Sequence, residues 1–156
     1  MKMMRHLGCL ALTGSLLVVA CAGSEESSPP PEPRVPTCDE ADVYRRGLEK
    51  PGNKQLIRVA IVDSDPAPPQ AEIYNKLRVR VTDDAGAPMD DVTVVIDTLM
   101  PEHDHGVTVP INVTPLGQGE FELNPLYLFM SGFWEITVIV QQGGVETDRV
   151  KFSFCV

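Results

Sequence analysis

Histidine is scarce in this chain of 156 residues. There are three, and one, His6, lies in an N-terminal leader. Aromatic residues make up only 6%, with a single tryptophan, Trp134. Basic residues are outnumbered, 13 Lys and Arg against 22 Asp and Glu, for a net charge of −9. That balance disfavours nucleic acid and anionic membrane surfaces as partners and mildly favours cations. No basic patch is interleaved with aromatics, no glycine-rich loop could cradle a phosphate, and no Ser/His/Asp order is visible. Without a nucleophile–base pair, the expectation is a protein that is not an enzyme. Long apolar runs are also missing. The longest, residues 7–20, is too short for a spanning helix.

What that run does resemble is a secretion signal. Lys2 and Arg5 supply its positive start, and it ends Val18-Val19-Ala20-Cys21. Small residues before a cysteine look like a lipobox, in which Cys21 is lipidated and becomes the first mature residue. The plainer alternative is an ordinary signal with a stray cysteine. The lipid reading implies a lipoprotein of the bacterial cell envelope, facing the periplasm or the exterior and held at a membrane by acyl chains. Cleavage after residue 20 removes Lys2 and Arg5 and no acid, so the mature chain is still more acidic. Residues 21–36 follow, rich in Ser, Glu and Pro (Pro29-Pro30-Pro31-Glu32-Pro33), and cannot bury a core. They read as an extended tether between lipid and domain.

Residues 37–156 alternate apolar and polar side chains with a period of two. Strands are expected at 53–63, 75–83, 92–99, 107–113, 119–123, 134–141 and 145–156. Pro110 marks the fourth as an edge strand. Short helical turns are conceivable in 38–48 and 125–131. Seven short strands separated by turns predict an all-β domain, a single immunoglobulin-like antiparallel sandwich with Trp134 as its largest buried group.

Cysteine is nearly as rare as histidine. Cys9 and Cys21 belong to the leader, which leaves Cys38 and Cys155 in an exported protein, where a disulfide is expected. Cys155 is out of step with Val150, Phe152 and Phe154, so it faces away from the core and can receive the N-terminal segment laid across the sheet.

The two remaining histidines fall together, in Met100-Pro101-Glu102-His103-Asp104-His105-Gly106. Neutral imidazole is the commonest biological metal ligand, and a thioether adds softness that suits copper. The same spacing also fits a solvated polar turn, since His-x-His alone is a weak signal. In a sandwich of consecutive antiparallel strands, alternate loops emerge at one end. That end would gather Asp65, the His103–His105 loop and Met130. Met130 is then either a fourth ligand or a filler of the core.

The residues Met100-Pro101 with His103 and His105, the strand Gly119-Glu120-Phe121, and Phe129-Met130-Ser131-Gly132-Phe133-Trp134-Glu135-Ile136-Thr137-Val138 resemble the YtkA-like domain family. That family is related to FixH-type proteins and found in envelope lipoproteins. The resemblance spans roughly residues 76–154. It implies an immunoglobulin-like sandwich and, for some members, copper handling or cytochrome oxidase maturation. It points to Met100, His103, His105 and Met130 as copper ligands. The alternative is a metal-free interaction or structural module contacting another envelope protein.

Overall fold

In a computed structural model of the protein, the alternating segments pair into eight antiparallel strands. The structure describes residues 34–156; the expected signal peptide, the lipidation site Cys21 and most of the tether lie outside the described residues. The strands are β1 (Glu49–Pro51), β2 (Ile57–Asp65), β3 (Tyr74–Asp83), β4 (Thr93–Leu99), β5 (Asn112–Gly117), β6 (Glu120–Tyr127), β7 (Phe133–Gln142) and β8 (Val145–Cys155). One sheet has the order β1-β2-β3-β6-β5 and the other β4-β7-β8. Apart from β1, this is the arrangement of a constant-type immunoglobulin sandwich, four strands facing three.

The period of two explains the packing. Ile57, Val59 and Ile61 of β2 and Leu77, Val79 and Val81 of β3 point inward and are fully buried. From the other sheet come Trp134, Ile136, Val138 and Val140 of β7 and Val150, Phe152 and Phe154 of β8. Trp134 is the largest fully buried side chain, as expected.

Three expectations need correction. The fourth strand is not at 107–113 but at Asn112–Gly117. Residues 107–111 have strand-like composition and no ladder partner, and Pro110 lacks a donor, so local propensity loses to pairing. The strand is nonetheless an edge, as foreseen. Residues 125–131 contain no helical turn; Pro125 follows a cis peptide bond and Pro125–Tyr127 complete β6. The turn expected in 38–48 is present, as the single 3-10 turn Cys38–Glu40. The extra strand, β1, has three residues and ends in a proline, too short to show a period.

The N-terminal segment is stapled along β8. Carbonyls of alternate β8 residues each receive a donor from it: Ser153 from Asp42 N–H (2.7 Å), Lys151 from Lys50 Nζ (3.1 Å), Arg149 from Asn53 N–H (3.0 Å) and Thr147 from Lys54 Nζ (3.0 Å). Ser153 N–H donates back to the Asp42 carboxylate at 2.8 Å. Cys38 and Cys155 close the staple as a disulfide, with their Cα atoms 5.3 Å apart. Cys155 is exposed, on the outward phase read from the sequence.

Asp148 is buried at the same junction, with no exposed surface. Its carboxylate accepts the N–H groups of Lys54 (3.0 Å), Leu56 (3.0 Å) and Arg149 (2.8 Å). Burial pushes its pKa up, but those three backbone donors outweigh burial and hold it below the usual carboxylate range.

Candidate functional site

The histidine loop is a four-residue hairpin turn at the end of β4. Met100 and His105 form an isolated antiparallel bridge, with Met100 N–H donating to the His105 carbonyl at 2.7 Å. The Met100 carbonyl accepts His103 N–H (3.1 Å) and Asp104 N–H (2.9 Å). The left-handed residue that closes the turn is Asp104, at φ 52°. Asp tolerates this conformation better than most residues. Gly106 serves another purpose. A Cβ there would sit 2.5 Å from the Thr98 carbonyl, so only glycine permits this approach to β4.

The turn presents the two histidines differently. His103 is exposed and His105 half-buried. Their rings are nearly parallel, 11° apart, with centroids separated by 5.8 Å. On its other side His105 stacks on Phe129 at 4.8 Å and lies 5.6 Å from Trp134. Phe129 and Trp134 come from the β6–β7 connection and β7, so the aromatic wall holds the imidazole from below. Nδ1 of His105 lies 3.3 Å from the Gly106 carbonyl, which can only accept; in that contact Nδ1 donates, and in the neutral ring the lone pair is then on Nε2. A histidine whose second nitrogen donates to a backbone carbonyl is the usual setting of a metal ligand. With metal–nitrogen bonds of ~2.0 Å, two imidazoles on one ion have centroids up to about 6 Å apart. The observed spacing lies within that reach, but rings stacked 11° from parallel aim their in-plane lone pairs side by side, so one ring must turn for both to hold one ion.

The methionines are placed as follows. Met100 is fully buried in the core, and its methyl lies where a Cβ on Gly132 would come within 2.5 Å. Gly132 belongs to the β6–β7 connection, so that connection does meet the histidine loop. Met130 is half-buried against the core, and its carbonyl accepts the Trp134 indole N–H at 2.8 Å. The β2–β3 connection reaches the same end, through Glu72 N–H to the Leu128 carbonyl at 2.7 Å. Asp65 itself sits in a cleft with Asp63, Lys76, Arg78 and Glu122. No group of three or more His, Cys, Asp or Glu residues gathers among the described residues. Any ion on His103 and His105 would therefore take its further ligands from thioethers, backbone or solvent.

Sequence reasoning missed Phe129 and Trp134 as the wall behind His105. The only signal was their place in one motif with Met130.

No curated protein and no solved structure matches the chain. A family model described as YtkA-like matches residues 53–139, which run from just before β2 into β7 and include the histidine hairpin and Met130. More than half of the chain is covered, and this protein belongs to the YtkA-like family.

Proposed function

We propose that the protein is a non-enzymatic, lipid-anchored envelope protein whose sandwich binds copper at the end carrying His103 and His105, in metal handling or oxidase maturation. One observation carries the reading. The two histidines outside the leader share a single hairpin turn, 5.8 Å apart, and one is oriented through a backbone carbonyl with its Nε2 unengaged. Met100 begins this turn and is buried beneath it, Met130 is half-buried in the β6–β7 connection that Met100 touches at Gly132, and thioethers favour Cu(I).

Titration calorimetry with Cu(I), in a non-thiol reductant that spares the disulfide, tests it. The double variant His103→Ala, His105→Ala is expected to lose binding. Met130→Leu is expected to weaken Cu(I) and leave Cu(II) nearly unchanged. Binding should weaken in acid, because imidazole must be neutral to ligate. Trp134, the single tryptophan, lies against His105, so its fluorescence reports occupancy directly. Equal Cu(I) affinity in the wild type and the double histidine variant would replace copper binding with a metal-free interaction module.

The anchor has its own test. Cys21→Ser is expected to move the protein from the membrane to the soluble fraction. A wild-type protein whose intact mass carries no acyl chains would end the lipoprotein reading.

A further inference from the structure

Residues 34–41 form polar bonds only among themselves. Thr37 N–H donates to the Glu40 carboxylate (2.9 Å), Glu40 N–H to the Thr37 carbonyl (2.9 Å) and Ala41 N–H to the Cys38 carbonyl (3.2 Å), and Arg34 pairs with Glu40. Among the described residues, no hydrogen bond or ion pair ties this stretch to either sheet. The first such tie is Asp42 N–H to the Ser153 carbonyl, at 2.7 Å. What holds the stretch is the Cys38–Cys155 disulfide. Both cysteines are exposed. Exchange with an incoming thiolate depends on access, and exposed disulfides are the labile ones.

The stretch is also loosely seated. Protein interiors pack almost without voids, yet this segment has a cavity on either side. One, of about 370 Å³, is lined by Cys38 and Ala41 together with Tyr44, Pro69 and Phe154. The Tyr44 hydroxyl is buried without a hydrogen-bond partner, and such an atom favours any state that lets water reach it. The other cavity, of about 460 Å³, has residues 35–38 on one side and Glu102, Gly132 and Phe133 on the other. Glu102 belongs to the histidine turn, and Gly132 is the residue that the Met100 methyl approaches. Cys38 lines both cavities.

We propose that the Cys38–Cys155 bond is a redox latch: a dithiol partner reduces it, residues 34–41 leave β8, and the flank of the histidine turn is uncovered. The exchange balances within the pair. One partner thiolate attacks a sulfur of the bond and expels the other as a thiolate, which takes a proton. The partner's second thiolate then attacks the first, which closes the partner's own disulfide and frees the remaining cysteine. Two electrons and two protons pass from the partner to Cys38 and Cys155. Release stops at Asp42, whose backbone and carboxylate both stay bonded to Ser153. Beyond that point Glu102, Gly132 and Phe133 lose residues 35–38 as their cover. This inference does not rest on copper binding.

The test is NMR of the isotope-labelled full chain in detergent, with dithiothreitol as the dithiol and no denaturant. Alkylation and intact mass count the thiols. Two thiols are expected to appear, and order parameters of residues 34–41 to fall from about 0.85 to below about 0.6, while β2 and β3 keep their shifts. The amide signals of Glu102, Gly132 and Phe133 should move in step with the thiols. Cys38→Ser with Cys155→Ser should show the reduced pattern from the start and ignore dithiothreitol. If that variant does not fold, the reduced wild type decides alone. A bond that resists dithiothreitol until denaturant is added would overturn the proposal, as would a reduced protein whose residues 34–41 stay ordered or whose Glu102 and Gly132 signals stay in place. Loss of the β2 and β3 signals on reduction would also overturn it, and make the bond a staple of the whole fold.

Discussion

Replacing Cys38 and Cys155 with serine is expected to cost about 4 kcal/mol of stability. The bond closes a loop with a sequence separation of 117 residues, almost the whole domain. In the chain-entropy view, a cross-link stabilises by removing freedom from the unfolded chain, and long loops lose the most. The native side of the balance is favourable as well. The two Cα atoms lie at 5.3 Å, within the ordinary range for a disulfide, so the backbone need not move to make the bond. For a domain of this size the loss corresponds to a melting temperature lower by about 15 °C. Scanning calorimetry of the wild type with and without a thiol reductant, beside the double serine variant, measures it. A shift below about 3 °C would mean that the hydrogen bonds to β8 hold the segment unaided.

Asp148→Ala is expected to cost about 3 kcal/mol, because it strands backbone donors in a buried place. Among the described residues the N–H groups of Lys54 and Leu56 reach no other acceptor, and the hairpin between β1 and β2 loses two of its ties to β8. Nothing compensates by moving closer, since the site is already tight. A Cβ on Gly52 would come within 2.1 Å of the Asp148 carboxylate, so Gly52→Ala should destabilise the same junction. The pH dependence follows from the direction of the shift. The folded-state pKa of Asp148 lies below its unfolded value. Its contribution is therefore complete above the ordinary carboxylate value near ~4 and is lost as pH falls through the lower, folded value. Denaturant unfolding between pH 6 and pH 2 should show the wild type losing stability in acid more steeply than Asp148→Ala. Parallel curves would remove Asp148 from the acid response.

Much of this architecture was legible from alternation alone. Strands whose inward residues are all apolar, such as β3 with Leu77, Val79 and Val81, announce themselves. The pairing of Cys38 with Cys155 was legible because Cys155 breaks phase with Phe154 and Phe152. Asp148 escaped notice although its signal was present. It falls in step with Val150, Phe152 and Phe154, a carboxylate on the buried phase of a strand, which requires donors to meet it. The segment 107–111 was misread for the opposite reason. Its residues favour a strand, but a strand exists only where a partner lies alongside, and that partner cannot be read from local sequence. The histidine hairpin was legible by residue type; that Met100 turns into the core while His103 turns to solvent follows from the bridge between Met100 and His105, which spacing alone does not reveal.

The position of the Cys38–Cys155 bond has a mechanical consequence. Tension arriving along the chain through Thr37 reaches Cys38 and crosses at once into the last residue of β8. The backbone between the two cysteines is a closed covalent ring lying outside the load path, so a pull from that side cannot peel the N-terminal segment off β8 or unravel the sheets one hairpin at a time.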